Sequence, residues 1–372
     1  MKKIGREVLF IPTVPGNARN GEGSMLRLKD GRIMYAYTRY SGDEWKDDAV
    51  ADIAVYYSSD EGDSWEYGGI LIKKGENDLN VMSVNLHRMS NGDLGVMYVR
   101  KFMKDGKQLC MPCLVRSSDE GESFGEPVSC IDEDGYYVVN NDRLITLSCG
   151  RLIFPVSYHG KSGSSADIGA GKLRVVYSDD DGRSFKMSAQ TICSPYNDLM
   201  GLQEPGVYQL GDGRVWMWCR TAYGHQYQCF SSDNGETWSA IEPALRFTSP
   251  CSPMQVKNAG DLAVALFNPM GYNCLTAANT ARHPSGRTPL VCAISRDRGA
   301  IFTTPYKNPA NPAETKYFTN ACYCLEDDTT NSYCYPTVFE VENGFLVSYY
   351  HSNGTPRSLN SAKITNVTLD EL

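Results

Sequence analysis

Ser58-Ser-Asp60-Glu-Gly62-Asp-Ser64-Trp65 returns as Ser117-Ser-Asp119-Glu-Gly121-Glu-Ser123-Phe124, Ser178-Asp-Asp180-Asp-Gly182-Arg-Ser184-Phe185 and Ser231-Ser-Asp233-Asn-Gly235-Glu-Thr237-Trp238. A weaker fifth copy is Ser295-Arg-Asp297-Arg-Gly299-Ala-Ile301-Phe302. Asp and Ser side chains bond nearby backbone N–H groups, Gly takes positive φ, and the terminal aromatic tucks between sheets, so each copy reads as a hairpin corner. Alternating strands such as Asp52-Ile-Ala-Val-Tyr-Tyr57 and Leu173-Arg-Val-Val-Tyr177 lead into the corners.

A second element interleaves with the first: two apolar strands around a tight turn, with turn glycines at Gly31, Gly92, Gly150, Gly213, Gly260 and Gly344. Six inner hairpins, five of them followed by a box, predict six four-stranded units of roughly sixty residues each. The chain is therefore expected to be all-β, one six-bladed propeller spanning residues 1–372. No box follows Gly344. Val8-Leu-Phe-Ile11 and the tail from Ser361 to Val367 are expected to complete the last blade and remove the open edge.

Bulk chemistry narrows the partners. The formal net charge is −8 and no Lys/Arg run stands out, so the electrostatic footprint of a nucleic-acid or anionic-membrane binder is missing. No stretch reaches the ~18–20 apolar residues of a membrane span. The apolar run Val8–Ile11 is too short for a signal-peptide core and Pro12 breaks it, which favours a cytoplasmic protein. Thirteen cysteines cannot all pair, and they read as reduced core thiols. Cys110-Met-Pro-Cys113 has no second pair of the kind a zinc site needs, so neither metal nor cofactor is expected. The sequence leaves the oligomeric state open.

The repeat also assigns a register to the channel. Nine residues before each turn glycine stand Glu22, Ser83, Asn141, Glu204, Cys251 and Tyr335. Seven to nine residues after it stand Arg39, Arg100, His159, Arg220, Asn268 and His351. Polar and cationic residues gathered at one rim predict a pocket for an anionic or hydroxyl-rich ligand. Asp142 and Arg143, beside Asn141, are expected to reach the same rim. Trp216 and Trp218 alternate in a strand and read as core.

The boxes and their alternation with D/N-G hairpins resemble the sialidase superfamily over nearly the full length. Gln203-Glu204-Pro through Cys219-Arg220 is similar to the family's strand pair carrying a buried Glu and, sixteen residues on, an Arg of the carboxylate-gripping cluster. Gly286-Arg287-Thr-Pro resembles the stretch bearing a later cluster Arg, and Ser332-Tyr333-Cys-Tyr-Pro-Thr337 resembles the segment around a nucleophilic tyrosine. The resemblance implies Tyr333 as nucleophile, with Tyr335 as substitute, and Glu204 as its base. It places the general acid on the loop from Tyr40 to Asp52, with Asp48 the first choice and Asp47 the second.

The family's opening arginine is missing. Glu22 stands in its place, and His351 aligns with the glutamate that would steady it. Arg19, Arg39, or Arg100 with Lys101 remain as other partners for a carboxylate. The resemblance thus implies an exo-acting glycoside hydrolase for sialic acid or a related sugar acid, with a small-molecule or oligosaccharide glycoside as substrate. A carbohydrate-binding propeller, or a lyase on the same scaffold, stands as the alternative.

Overall fold

Six antiparallel sheets follow one another along the chain in the computed structural model, which describes residues 1–163, 168–271, 287–303, 322–354 and 359–372. Blades 1, 2, 4 and 5 each use four consecutive strands. Blade 6 runs Tyr333–Val341, Gly344–His351, Ser361–Thr368 and then Arg6–Ile11, so the two ends of the chain share one sheet. The expected completion of the last blade is what the sheet order shows. No described helix is long and apolar enough to cross a membrane.

The boxes form the corners that the sequence predicts. In the first, Ser58 Oγ accepts from the Gly62 N–H at 2.8 Å, and Asp60 Oδ1 accepts from the Ser64 N–H at 2.9 Å. The fifth copy keeps these bonds with Ile301 in the serine position. The side chain at that position is dispensable because the Asp pairs with a backbone donor.

Apolar alternation fills the seams between blades. Six clusters of buried residues each join two neighbouring sheets, the sixth linking Met25, Tyr35 and Tyr37 of blade 1 to Leu346 and Ile364 of blade 6. That last seam closes the ring. Trp216 and Trp218 are core, packed against Phe247 and Met254 between blades 4 and 5.

Cys110 and Cys113 lie on one strand, where residues three apart face opposite sides. Burial pushes their thiols up, to about 11 and about 12.

One backbone device positions the site. Glu22, Ser83, Asp142, Glu204 and Tyr335 all have φ between +47° and +59°. Four of them sit where the ladder of the innermost strand slips: between Gly21 and Ser24, Met82 and Asn85, Gln203 and Gly206, and Cys334 and Thr337. A bulge with one left-handed residue breaks the in–out alternation and re-aims a single side chain. Such a backbone costs about 1–3 kcal/mol at a non-glycine residue and persists where the surroundings hold it. Pro205 and Pro336 follow two of these residues, and a residue without an N–H withdraws no ladder donor at a bulge.

Candidate active site

The bulges open onto a cavity of about 500 Å³ at one mouth of the central channel. Four cations (Arg19, Lys101, Arg220 and Arg287) and three carboxylates (Glu22, Asp47 and Glu204) line it. Tyr335 and His159 complete its polar wall.

Tyr335 and Glu204 meet there. The Tyr335 hydroxyl donates to Glu204 Oε1 at 2.5 Å, and Arg220 Nη1 donates to Glu204 Oε2 at 2.6 Å. Arg287 lies 5.8 Å from the Tyr335 ring and donates to the Cys251 carbonyl at 3.0 Å. Burial raises the Glu204 carboxyl, but Arg220, Tyr335 and Arg287 outweigh it and leave Glu204 below its ordinary range. Tyr335 is pushed well above the ordinary phenol value, first by burial and then by the Glu204 charge. At rest the proton therefore sits on the phenol, aimed at a carboxylate.

Tyr333, the expected nucleophile, is elsewhere. It is fully buried in the seam between blades 5 and 6, its ring against Tyr349 and His351, and its hydroxyl has no hydrogen-bond partner among the described residues. A regular strand would point residues 333 and 335 to the same side. The left-handed turn at Tyr335 separates them, sending one to the axis and leaving the other in the core.

Blade 2 presents the acid loop. Asn80 Nδ2 donates to the Asp47 and Ala49 carbonyls at 2.9 and 2.8 Å, and Lys101 Nζ donates to the Asp47 carbonyl at 2.8 Å. So pinned, the Asp47 carboxylate lies at the cavity mouth and takes Arg19 Nη1 at 2.5 Å. Burial raises it little, since its side chain is 70% exposed at the mouth, and Arg19 and Lys101 hold it at about 2. Asp48, the first choice from sequence, is exposed and is not part of the wall.

The forward half of the rim register holds at two positions only. Arg220 and His159 line the cavity. His159 is held by the Gly169 carbonyl and Ser157, and burial lowers its pKa. Arg39 is not in the wall, and among the described residues its side chain reaches only Ser41 Oγ, at 3.5 Å. Arg100 pairs with Asp78 at 2.8 Å and borders a separate side cleft, while its neighbour Lys101 turns inward. His351 packs on Phe10 and Tyr333. Adjacent strand residues face opposite ways, so a window three positions wide mixes both faces.

Asn141, Asp142 and Arg143 form the floor below the cavity instead of its wall. Asn141 donates to the Gly23 carbonyl at 2.8 Å and the Tyr335 carbonyl at 3.4 Å. Arg143 donates to Gln255 Oε1 at 2.5 Å and the Met254 carbonyl at 2.8 Å. Asn140 stands in the wall where Asn141 was expected. Tyr136 in the wall, and Tyr350, which accepts from Arg19 behind it, escaped the sequence reading altogether. Tyr350 carries no motif, and its only signal is its place one residue before the forward-register His351.

The profile of a family described as BNR repeat-like domain matches residues 31–348. A search of curated proteins gives no match. Among solved structures, a protein of unknown function from Dyadobacter fermentans is similar with a TM-score of 0.66 and 18% identity, over 97% of this chain and 99% of that one. The leech intramolecular trans-sialidase gives 0.68 and 13%, covering 100% and 71%. The NanB sialidase of Streptococcus pneumoniae gives 0.67 and 12%, covering 99% and 71%. At these identities the likeness is one of fold.

Proposed function

The chain belongs to the BNR repeat-like family, a sialidase-like propeller superfamily, and from that membership and the cavity we propose that it is an exo-acting glycoside hydrolase for a terminal sugar acid. The observation that carries this reading is the contact of the Tyr335 hydroxyl with Glu204, with Arg220 on the other carboxylate oxygen, inside an axial cavity.

The chemistry follows from the charges. A carboxylate nucleophile would repel an anionic sugar, and a phenol does not until it gives up its proton. Sialidases with a tyrosine nucleophile are a recognised departure from the two-carboxylate scheme. Here Glu204 takes the Tyr335 proton as the phenol oxygen bonds to the anomeric carbon, and Arg220 and Arg287 hold the sugar carboxylate. The bond to the leaving oxygen breaks as that oxygen takes a proton from Asp47. Water then attacks the same carbon, Asp47 takes the water proton, and the departing phenolate recovers its own from Glu204. All atoms and electrons balance with water as the only co-reactant.

Arg19 and Lys101 favour the ionised form of Asp47, so the productive protonation state grows as pH falls. A panel of aryl glycosides of sugar acids and neutral sugars tests the reading, with products identified by NMR. The expected result is release of the free sugar acid, none from neutral glycosides, and kcat/KM rising from pH 7 toward pH 4. Binding without turnover, or an unsaturated product, would overturn it.

A further inference from the structure

One carboxylate in the cavity has no part in that reaction. Glu22 is 4% exposed, and its left-handed backbone aims it inward by the same device that aims Glu204 and Tyr335. Its Oε1 accepts from Arg19 Nη2 at 3.0 Å, and its Oε2 accepts from Ser83 Oγ at 2.6 Å. A carboxylate oxygen accepts about two hydrogen bonds. Oε1 also has the Tyr350 hydroxyl at 3.5 Å, so Oε2 keeps an open acceptor site among the described residues.

The arginine beside it is occupied. Arg19 spends Nε on the Tyr350 hydroxyl at 2.8 Å, Nη1 on Asp47 and the Trp45 carbonyl, and Nη2 on Glu22, and its plane lies against the Tyr40 and Tyr350 rings. No fork remains on Arg19 for a ligand carboxylate. Arg220 Nη2 and Arg287 Nε, by contrast, have no partner among the described residues. In a ring of six blades, blade 1, which carries Glu22, lies across the axis from blade 4, which carries Arg220. The cavity thus has open donors at Arg220 and Arg287 on one side and, on the other, an open acceptor on Glu22 with the Lys101 ammonium near it.

We propose that Glu22 is the specificity residue of this pocket. A hydrogen-bond donor of the sugar, a hydroxyl or an ammonium, docks on Glu22 Oε2 while the carboxylate lies on Arg220 and Arg287. The substrate is then a monocarboxylate sugar with a donor on the side away from its acid group. This rests on the site described above, but binding tests it without turnover.

Calorimetric titration of the full chain with N-acetylneuraminate, glucuronate, 2-amino-2-deoxyglucuronate and glucose, for wild type and Glu22→Gln, makes the test. Glutamine keeps an acceptor and loses the charge, so hydroxyl-bearing acids should weaken by about tenfold and an ammonium ligand by more. Glucose should not bind. Ser83→Ala leaves the Glu22 charge in place and should weaken the same ligands by less, which covers the event that Glu22→Gln melts early. If the acids bind wild type and Glu22→Gln alike, the inference about Glu22 fails by itself. If no acid binds wild type, the arginine half fails, and the proposed hydrolase pocket fails with it.

Discussion

Tyr335→Phe should lower kcat/KM by about a thousandfold or more, while Tyr333→Phe leaves it within a few-fold of wild type. The two tyrosines are two positions apart on one strand, and the same atom is deleted in both. Tyr335 loses the hydroxyl that faces Glu204, and with it both the attacking oxygen and the proton that Glu204 takes. Tyr333 loses a hydroxyl that has no partner among the described residues of an apolar seam. Removing an unsatisfied buried polar group should leave stability unchanged or raise it by about 1 kcal/mol. Kinetics on the best substrate of the panel, together with a urea unfolding curve for each variant, read both effects. Equal activity for the two variants would remove Tyr335 from the reaction.

Asp142→Ala should cost about 3–5 kcal/mol of stability, the price of stranding the partner of a buried ion pair. The Asp142 carboxylate accepts from Lys257 at 2.7 and 2.8 Å, from Ser24 Oγ at 2.9 Å, and from Thr337 Oγ1. Its backbone N–H donates to the Val84 carbonyl at 3.2 Å, and its carbonyl accepts from Gln255 at 2.8 Å. One residue of blade 3 thereby ties blades 1, 2, 5 and 6 together on the axis. Lys257 would be left half-buried without its counter-ion. Urea unfolding at neutral pH measures the loss. A loss below about 1 kcal/mol would mean that the axis is held by the apolar seams alone.

Architecture was legible because the box and the turn act locally. Asp60 bonds a backbone N–H four residues on, and Gly31 takes a positive φ, whatever the rest of the chain does. Even the degenerate fifth copy is recognised by its Ser295, Asp297 and Gly299 alone.

The register located the site best where it counted single positions, while the family resemblance supplied Arg220, Arg287 and Asp47. Nine residues before the turn, Glu22, Ser83, Glu204 and Tyr335 all reach the cavity, since each occupies the same bulge. Motif likeness pointed instead to Tyr333, because a bulge changes which side chain faces the axis without changing the residues around it. The loop from Tyr40 to Asp52 carries its acids without periodicity. What brings Asp47 rather than Asp48 to the cavity is a set of bonds from Asn80 and Lys101, more than thirty residues away. Blade 3 departs from the register because its innermost strand is two short pieces, Tyr137–Val138 and Ile145–Thr146, with the floor residues between them.

A covalent trap interrogates the phenol directly. A fluorinated sugar-acid glycoside with a good leaving group forms the glycosyl-enzyme quickly and releases it slowly, and peptide mass spectrometry after quenching locates the added mass. The expected result is one sugar-acid increment on Tyr335, absent in Tyr335→Phe. An increment on Tyr333, or steady turnover of the same glycoside by Tyr335→Phe, would contradict it.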